Sequence, residues 1–182
     1  ADAISAYVDG DVDKAQAQFE KVEAQTLSPR LAPLVALAKG TANLRKDAKA
    51  AIRNFDLARL MAPGTLVEEV ALRRTVSLEA ASGNGMQFLK AAEQYARRFI
   101  RSPYAAQFAE AFVTGVVSMD EAIPDASIAG VLSAVPSERR TALYLRLTRQ
   151  AVIAGRLPRA AFAATEALKD DALTKDKARG AQ

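Results

Sequence analysis

Four acidic residues near the start of the chain, Asp9, Asp11, Asp13 and Glu20, occupy positions 1, 3, 5 and 12 of an EF-hand calcium loop. The position that demands Gly for the sharp turn is Lys14, and Ala15 and Phe19 place the same segment on a helix, so no calcium site is expected. Glu68 and Glu69 are adjacent; on a helix they point about 100° apart and cannot work as a carboxylate pair. Glu68 reads instead as the return half of a capping box that starts at Thr65, and Glu69 as an ion-pair partner for Arg73 one turn on. There is no Cys, His or Trp. Thiolate nucleophiles, disulfides and thiolate zinc sites are therefore excluded, and the usual general base near neutral pH is missing. A serine hydrolase would need a Ser–Lys arrangement, and nothing in the chain points to one. The expectation is a non-enzyme with no cofactor and no metal.

Cations are the remaining chemistry. Arginines cluster at Arg73, Arg74, Arg97, Arg98 and Arg101, and again at Arg139, Arg140, Arg146, Arg149, Arg156 and Arg159. Most such clusters are solvated helix faces carrying ion pairs. The functional reading is a basic wall facing an acidic partner segment, with Arg73, Arg74, Arg97, Arg98, Arg101, Arg146 and Arg149 as its candidate residues. Aromatic residues are not interleaved with these arginines, and the net charge is only +4, so nucleic acid is not an expected partner. The carboxylate clamp of chaperone-binding tetratricopeptide domains needs Asn and Lys on successive helices, and Asn43, Asn54 and Asn84 do not supply it. No apolar run approaches the ~20 residues needed to cross a bilayer, so direct membrane insertion is not expected either.

The elements that must carry this wall are helices. Good helix formers dominate the composition, and period-two strand patterning is missing. A small residue, an aromatic four later and a proline eight after that recur at Ala51-Phe55-Pro63 and Ala91-Tyr95-Pro103; Ala15 and Phe19 begin the same pattern. The three alanines stand 36 and 40 residues apart, close to the ~34-residue period of a tetratricopeptide-type hairpin. Such a hairpin cannot bury its apolar face alone, so hairpins stack and leave a concave binding surface. The spacing thus predicts an all-α, tetratricopeptide-like stack of about ten helices (an α-solenoid), with a closed bundle as the alternative. It extends over residues 1–170 as one domain that starts inside a repeat, followed by a charged, frayed tail over 171–182. Helices are expected over about 13–25, from Ser28-Pro29 to about Leu44, over Ala48–Met61, from Thr65 to about Ala81 and over Met86–Phe99. Further helices should run from Ser102-Pro103 to about Met119, briefly after Pro124-Asp125, from Pro136-Ser137 to Gly155, and from Pro158 to about Leu168. Phe19, Phe55, Tyr95 and Phe99 are candidate core. The Pro63-Gly64-Thr65-Glu68 corner reads as scaffold, setting the angle between successive hairpins.

The run Asp56 to Arg74, DLARLMAPGTLVEEVALRR, resembles a signature of the MotC family, periplasmic motility proteins of rhizobial alphaproteobacteria, and Tyr95 to Ala105, YARRFIRSPYA, is similar to the segment that follows in that family. The resemblance implies export to the periplasm and a role in flagellar rotation through the periplasmic part of the stator protein MotB. It also implies a dedicated periplasmic chaperone, MotE, as a possible second partner. A helical accessory domain of a cell-wall enzyme, or a generic tetratricopeptide-like scaffold, is the alternative that the helical pattern alone would also allow.

Overall fold

The computed structural model describes Ala17 and residues 21–180, and within them the chain is all helical, with eight α-helices and no strand. In chain order these are α1 (Ala32–Asn43), α2 (Ala48–Met61), α3 (Leu66–Ala81), α4 (Gly85–Phe99), α5 (Ala105–Ser118), α6 (Asp125–Ser133), α7 (Ser137–Ile153) and α8 (Leu157–Gly180). Short 3-10 turns at Ala24–Thr26 and Asp120–Ala122 complete the set. The Ala15 and Phe19 start of the repeat, and the Asp9–Glu20 acidic run, lie outside the described residues.

Most starts and stops follow local chemistry. The Asp47 side chain accepts from the Ala50 amide at 2.8 Å and caps α2. Gly64, Gly83 and Gly155 adopt φ of 78°, 69° and 70° at the turns after α2, α3 and α7, a conformation that side chains disfavour. Two starts differ from expectation. Ser28-Pro29 forms a turn, with the Ser28 carbonyl accepting from Leu31 and Ala32, and α1 begins only at Ala32. Ser102 turns likewise, its hydroxyl accepting from the Tyr104 amide at 3.1 Å, and α5 begins at Ala105. In both cases the Ser-Pro pair caps a turn that feeds the helix rather than the helix itself. The Thr65 corner also shifts by one residue: the Glu68 carboxylate accepts from the Gly64 amide at 2.5 Å, and the Thr65 hydroxyl donates to the Ala62 carbonyl at 2.7 Å. At the other end α8 continues as helix to Gly180, past Leu168.

The chain divides at Leu78/Glu79 into two compact units, where the sequence spacing predicts one domain over 1–170. In the first, α1 packs on α2, and the core is Ala24, Ala36, Ala51, Phe55, Ala58 and Ala71. Its centre is Phe55, fully buried, against which Gly40 of α1 sits so closely that a Cβ there would come within 2.5 Å of the ring. The second unit is built on rings. Tyr95 of α4 stacks on Phe108 of α5 at 4.2 Å between centroids, and Phe88 stacks on Phe112 at 5.8 Å. Such offset pairs add about 0.5–1.5 kcal/mol beyond the area they bury. Phe99 is only half-buried, tilted against Tyr95 at the edge of the stack. Within this unit α4 packs on α6, α5 on α7, and α7 on α8. Tyr144 meets Phe162 edge-on across the α7–α8 hairpin, and Arg140 forks onto Asp170 at 2.6 and 2.5 Å.

Candidate functional site

The arginines resolve into three kinds. Some are structural. Arg159, 6% exposed, donates to Asp120 Oδ1 at 2.8 Å, to the Asp120 and Ile123 carbonyls at 2.7 and 2.5 Å, and to the Asp125 carboxylate. It pins the segment between α5 and α6 to α8. Arg140 is held yet more firmly charged by its hydrogen bonds to Asp170, against the opposing effect of burial. Others are local surface pairs. Arg97 meets Glu93 at 2.5 Å one turn away, and the Arg98 guanidinium lies 5.9 Å from the Phe99 ring centre; exposed pairs of this sort contribute about 0–1 kcal/mol.

The third kind lines a groove. α5 and α7 pack side by side in the second unit. Along α5, Ala105, Ala106, Ala109 and Val113 recur with helical spacing, and along α7 so do Arg139, Ala142, Arg146, Arg149 and Ile153. Residues three and four apart share a face of a helix, so each helix turns one stripe to the trough between them. The opposite stripe of α7, with Tyr144, Leu147 and Ala151, is buried. Small residues on α5 leave the trough open. It holds two adjoining cavities of about 210 and 460 Å³, which share Ala106, Ala109 and Arg146 as walls. Arg139 is anchored by donating to the Ile100 carbonyl at the end of α4. Arg146 and Arg149 are exposed, and Ile153 is 69% exposed. Glu110 is the acid among the lining residues.

Of the residues expected in a basic wall, the structure therefore brings Arg146 and Arg149 together in this groove. Arg97, Arg98 and Arg101 lie outside its lining. Arg73 and Arg74 are on the part of α3 that belongs to the first unit. Arg139, Ala106, Ala109 and Ile153 were not in the expected set. The signal that finds Arg139 and Ile153 is the run 139-142-146-149-153, an unbroken spacing of three and four on α7, and the spacing 106-109-113 does the same for the alanines on α5. Among the described residues no group of acidic side chains could hold a metal ion, and no helix is long and apolar enough to cross a membrane.

A family model described as "Chemotaxis protein MotC" matches residues 1–182. A curated relative from Rhizobium meliloti (strain 1021), also named "Chemotaxis protein MotC", is 38% identical over 154 residues. The alignment covers 85% of this chain and 36% of that relative, so the chain spans about a third of its length. No solved structure gives a significant match.

Proposed function

The chain belongs to the MotC family of chemotaxis proteins, and from that premise we propose that it is a non-enzymatic periplasmic interaction module that supports flagellar rotation by binding the periplasmic part of the stator protein MotB. The family name supports a role in motility. The observation that carries the binding reading is the α5–α7 groove, which presents Arg146 and Arg149 over a floor of small apolar residues. A reacting centre would need a nucleophile or a general base among convergent groups, whereas this trough offers three arginines and one acid, a pattern suited to holding a charged chain segment. The chaperone MotE is a second proposed partner.

The finer fold belongs to this proposal as well. In the second unit helices two apart in the chain pack together, α4 with α6 and α5 with α7, which favours a stack of hairpins over a closed bundle. In such a stack the α5 and α7 faces form one wall, and that wall is where a partner lies. Calorimetric titration of the chain with the periplasmic part of MotB tests the reading. Heat of binding that saturates is expected; no heat at any accessible concentration, from a chain shown to be helical, would overturn it.

A further inference from the structure

We propose that the α5–α7 groove is a docking channel for an acidic peptide segment of a protein partner, with Arg146 and Arg149 each meeting a carboxylate and an apolar partner side chain seated against Ile153. This deepens, and rests on, the reading of the chain as an interaction module.

Charge carries the first part. Arg97, Arg140 and Arg159 each have a carboxylate within 2.8 Å, and Arg139 is committed to a backbone carbonyl. Arg146 and Arg149 have no hydrogen bond or ion pair to any described residue. They stand one turn apart on α7, where like charges repel. A ligand bearing two carboxylates relieves that repulsion and complements the groove, which has a surplus of cations even with Glu110 counted. Shape carries the second part. From Arg139 to Ile153 the α7 stripe is roughly 21 Å long at 1.5 Å per residue, the length of about six residues of extended chain. A trough of that length suits a polypeptide better than a compact anion. The alanines of α5 make the floor shallow enough for backbone to approach, and the exposed Ile153 gives the far end an apolar contact. No aromatic ring lines the trough, which disfavours single-stranded nucleic acid, a ligand that binds by stacking its bases.

Fluorescence anisotropy of the chain with a labelled peptide of alternating Glu and Leu tests this, with the Gln/Leu and Lys/Leu peptides as controls. The Glu/Leu peptide should bind, the Gln/Leu peptide should bind about tenfold more weakly, and the Lys/Leu peptide not at all. Combining Arg146→Gln with Arg149→Gln should weaken Glu/Leu binding about tenfold, whereas Arg97→Gln should leave it alone. Glu110→Gln should tighten binding, a gain that misfolding cannot produce. Equal affinity for the Glu/Leu and Gln/Leu peptides, or for wild type and the double variant, would overturn the proposal. The same variants titrated with the periplasmic part of MotB separate the two ideas. Undiminished MotB affinity in the double variant defeats the groove and spares the functional reading. Peptide binding without any MotB binding spares the groove and defeats the choice of partner.

Discussion

Arg159 shows how far a charged residue's role depends on the fold. In the chain it is one more member of a basic cluster, yet its side chain is buried and its partners come from 34 to 39 residues earlier. Removing one partner of a fully buried ion pair costs ~3–5 kcal/mol. Here Asp120 and Asp125 keep 18% and 51% exposure and can be rehydrated, so Arg159→Ala should cost less, about 2–3 kcal/mol by urea denaturation. Arg159→Lys should recover little of it, because an ammonium cannot reach both carboxylates and both carbonyls at once. Tyr144 supplies a second test. Burial, followed by the carboxylates of Glu166 and Asp170, raises its phenol from 10.0 to about 12. A group whose folded value is raised stabilises fully below its unfolded value, near pH 10, and that contribution is lost as pH climbs toward 12. Phenolate absorbance should therefore include a late step from Tyr144, and Tyr144→Phe should remove that contribution and flatten the alkaline loss of stability between pH 10 and 12. Neither role is legible in the chain, because a side chain's partners across the fold leave no local mark.

The elements themselves were largely legible. Asp47, the Ala51-Phe55-Ala58 stripe and the Pro63-Gly64 break define α2 to the residue, since cap, stripe and breaker all agree there. The short helix after Pro124 and the stop at Gly155 were equally plain. The Ser-Pro pairs are where pattern and structure part, because their turn chemistry has the same residues as a helix start. Helix glycines carry no mark of their packing role in the sequence. Gly115 lies inside α5, where a Cβ would come within 2.5 Å of the Phe88 ring and 3.0 Å of Ala80; Gly40 meets Phe55 in the same way. Gly115→Ala and Gly40→Ala should each destabilise by about 1–3 kcal/mol through overpacking, outweighing the ~1 kcal/mol that alanine gains in a helix. Gly130, within α6 with nothing inside 4 Å, should behave oppositely, Gly130→Ala stabilising by about 0.5–1 kcal/mol in thermal melts. At the α3 start, Glu68→Ala should cost more than Thr65→Ala, because Glu68 is 4% exposed whereas the Thr65 bond is exposed.

At the scale of the whole molecule, the two units are built of different material. Apart from Phe55, the central cluster of the first is alanine, and a methyl buries far less apolar surface than a ring. The second has four stacked aromatic rings and most of the larger fully buried aliphatic side chains, Ile128, Leu132 and Leu147 among them, whereas Leu72 and Val76 belong to the first. Amides of α1 and α2 should therefore exchange with deuterium well before those of α4, α5 and α7; uniform protection across the chain would contradict this. The groove was half legible: the clusters marked Arg146 and Arg149, but the partners that occupy the other arginines, such as Asp170 for Arg140 and the Ile100 carbonyl for Arg139, lie far off in the sequence. The chain belongs to the MotC family; the role in motility proposed above rests on that membership, and the α5–α7 groove is where the proposal seats a partner.

The Arg159 clasp has a consequence in time as well as in space. A ribosome releases residues in order, so the carboxylates of Asp120 and Asp125 emerge long before the cation that neutralises them. Until Arg159 is in place, the 119–125 link carries three acids, Asp120, Glu121 and Asp125, without the cation that anchors it to α8. The last helix thus acts as a latch thrown from the far end, 39 residues downstream of the bolt. The clasp therefore forms only once both ends of this 39-residue span are present together, and the acids of the link stay uncompensated until then.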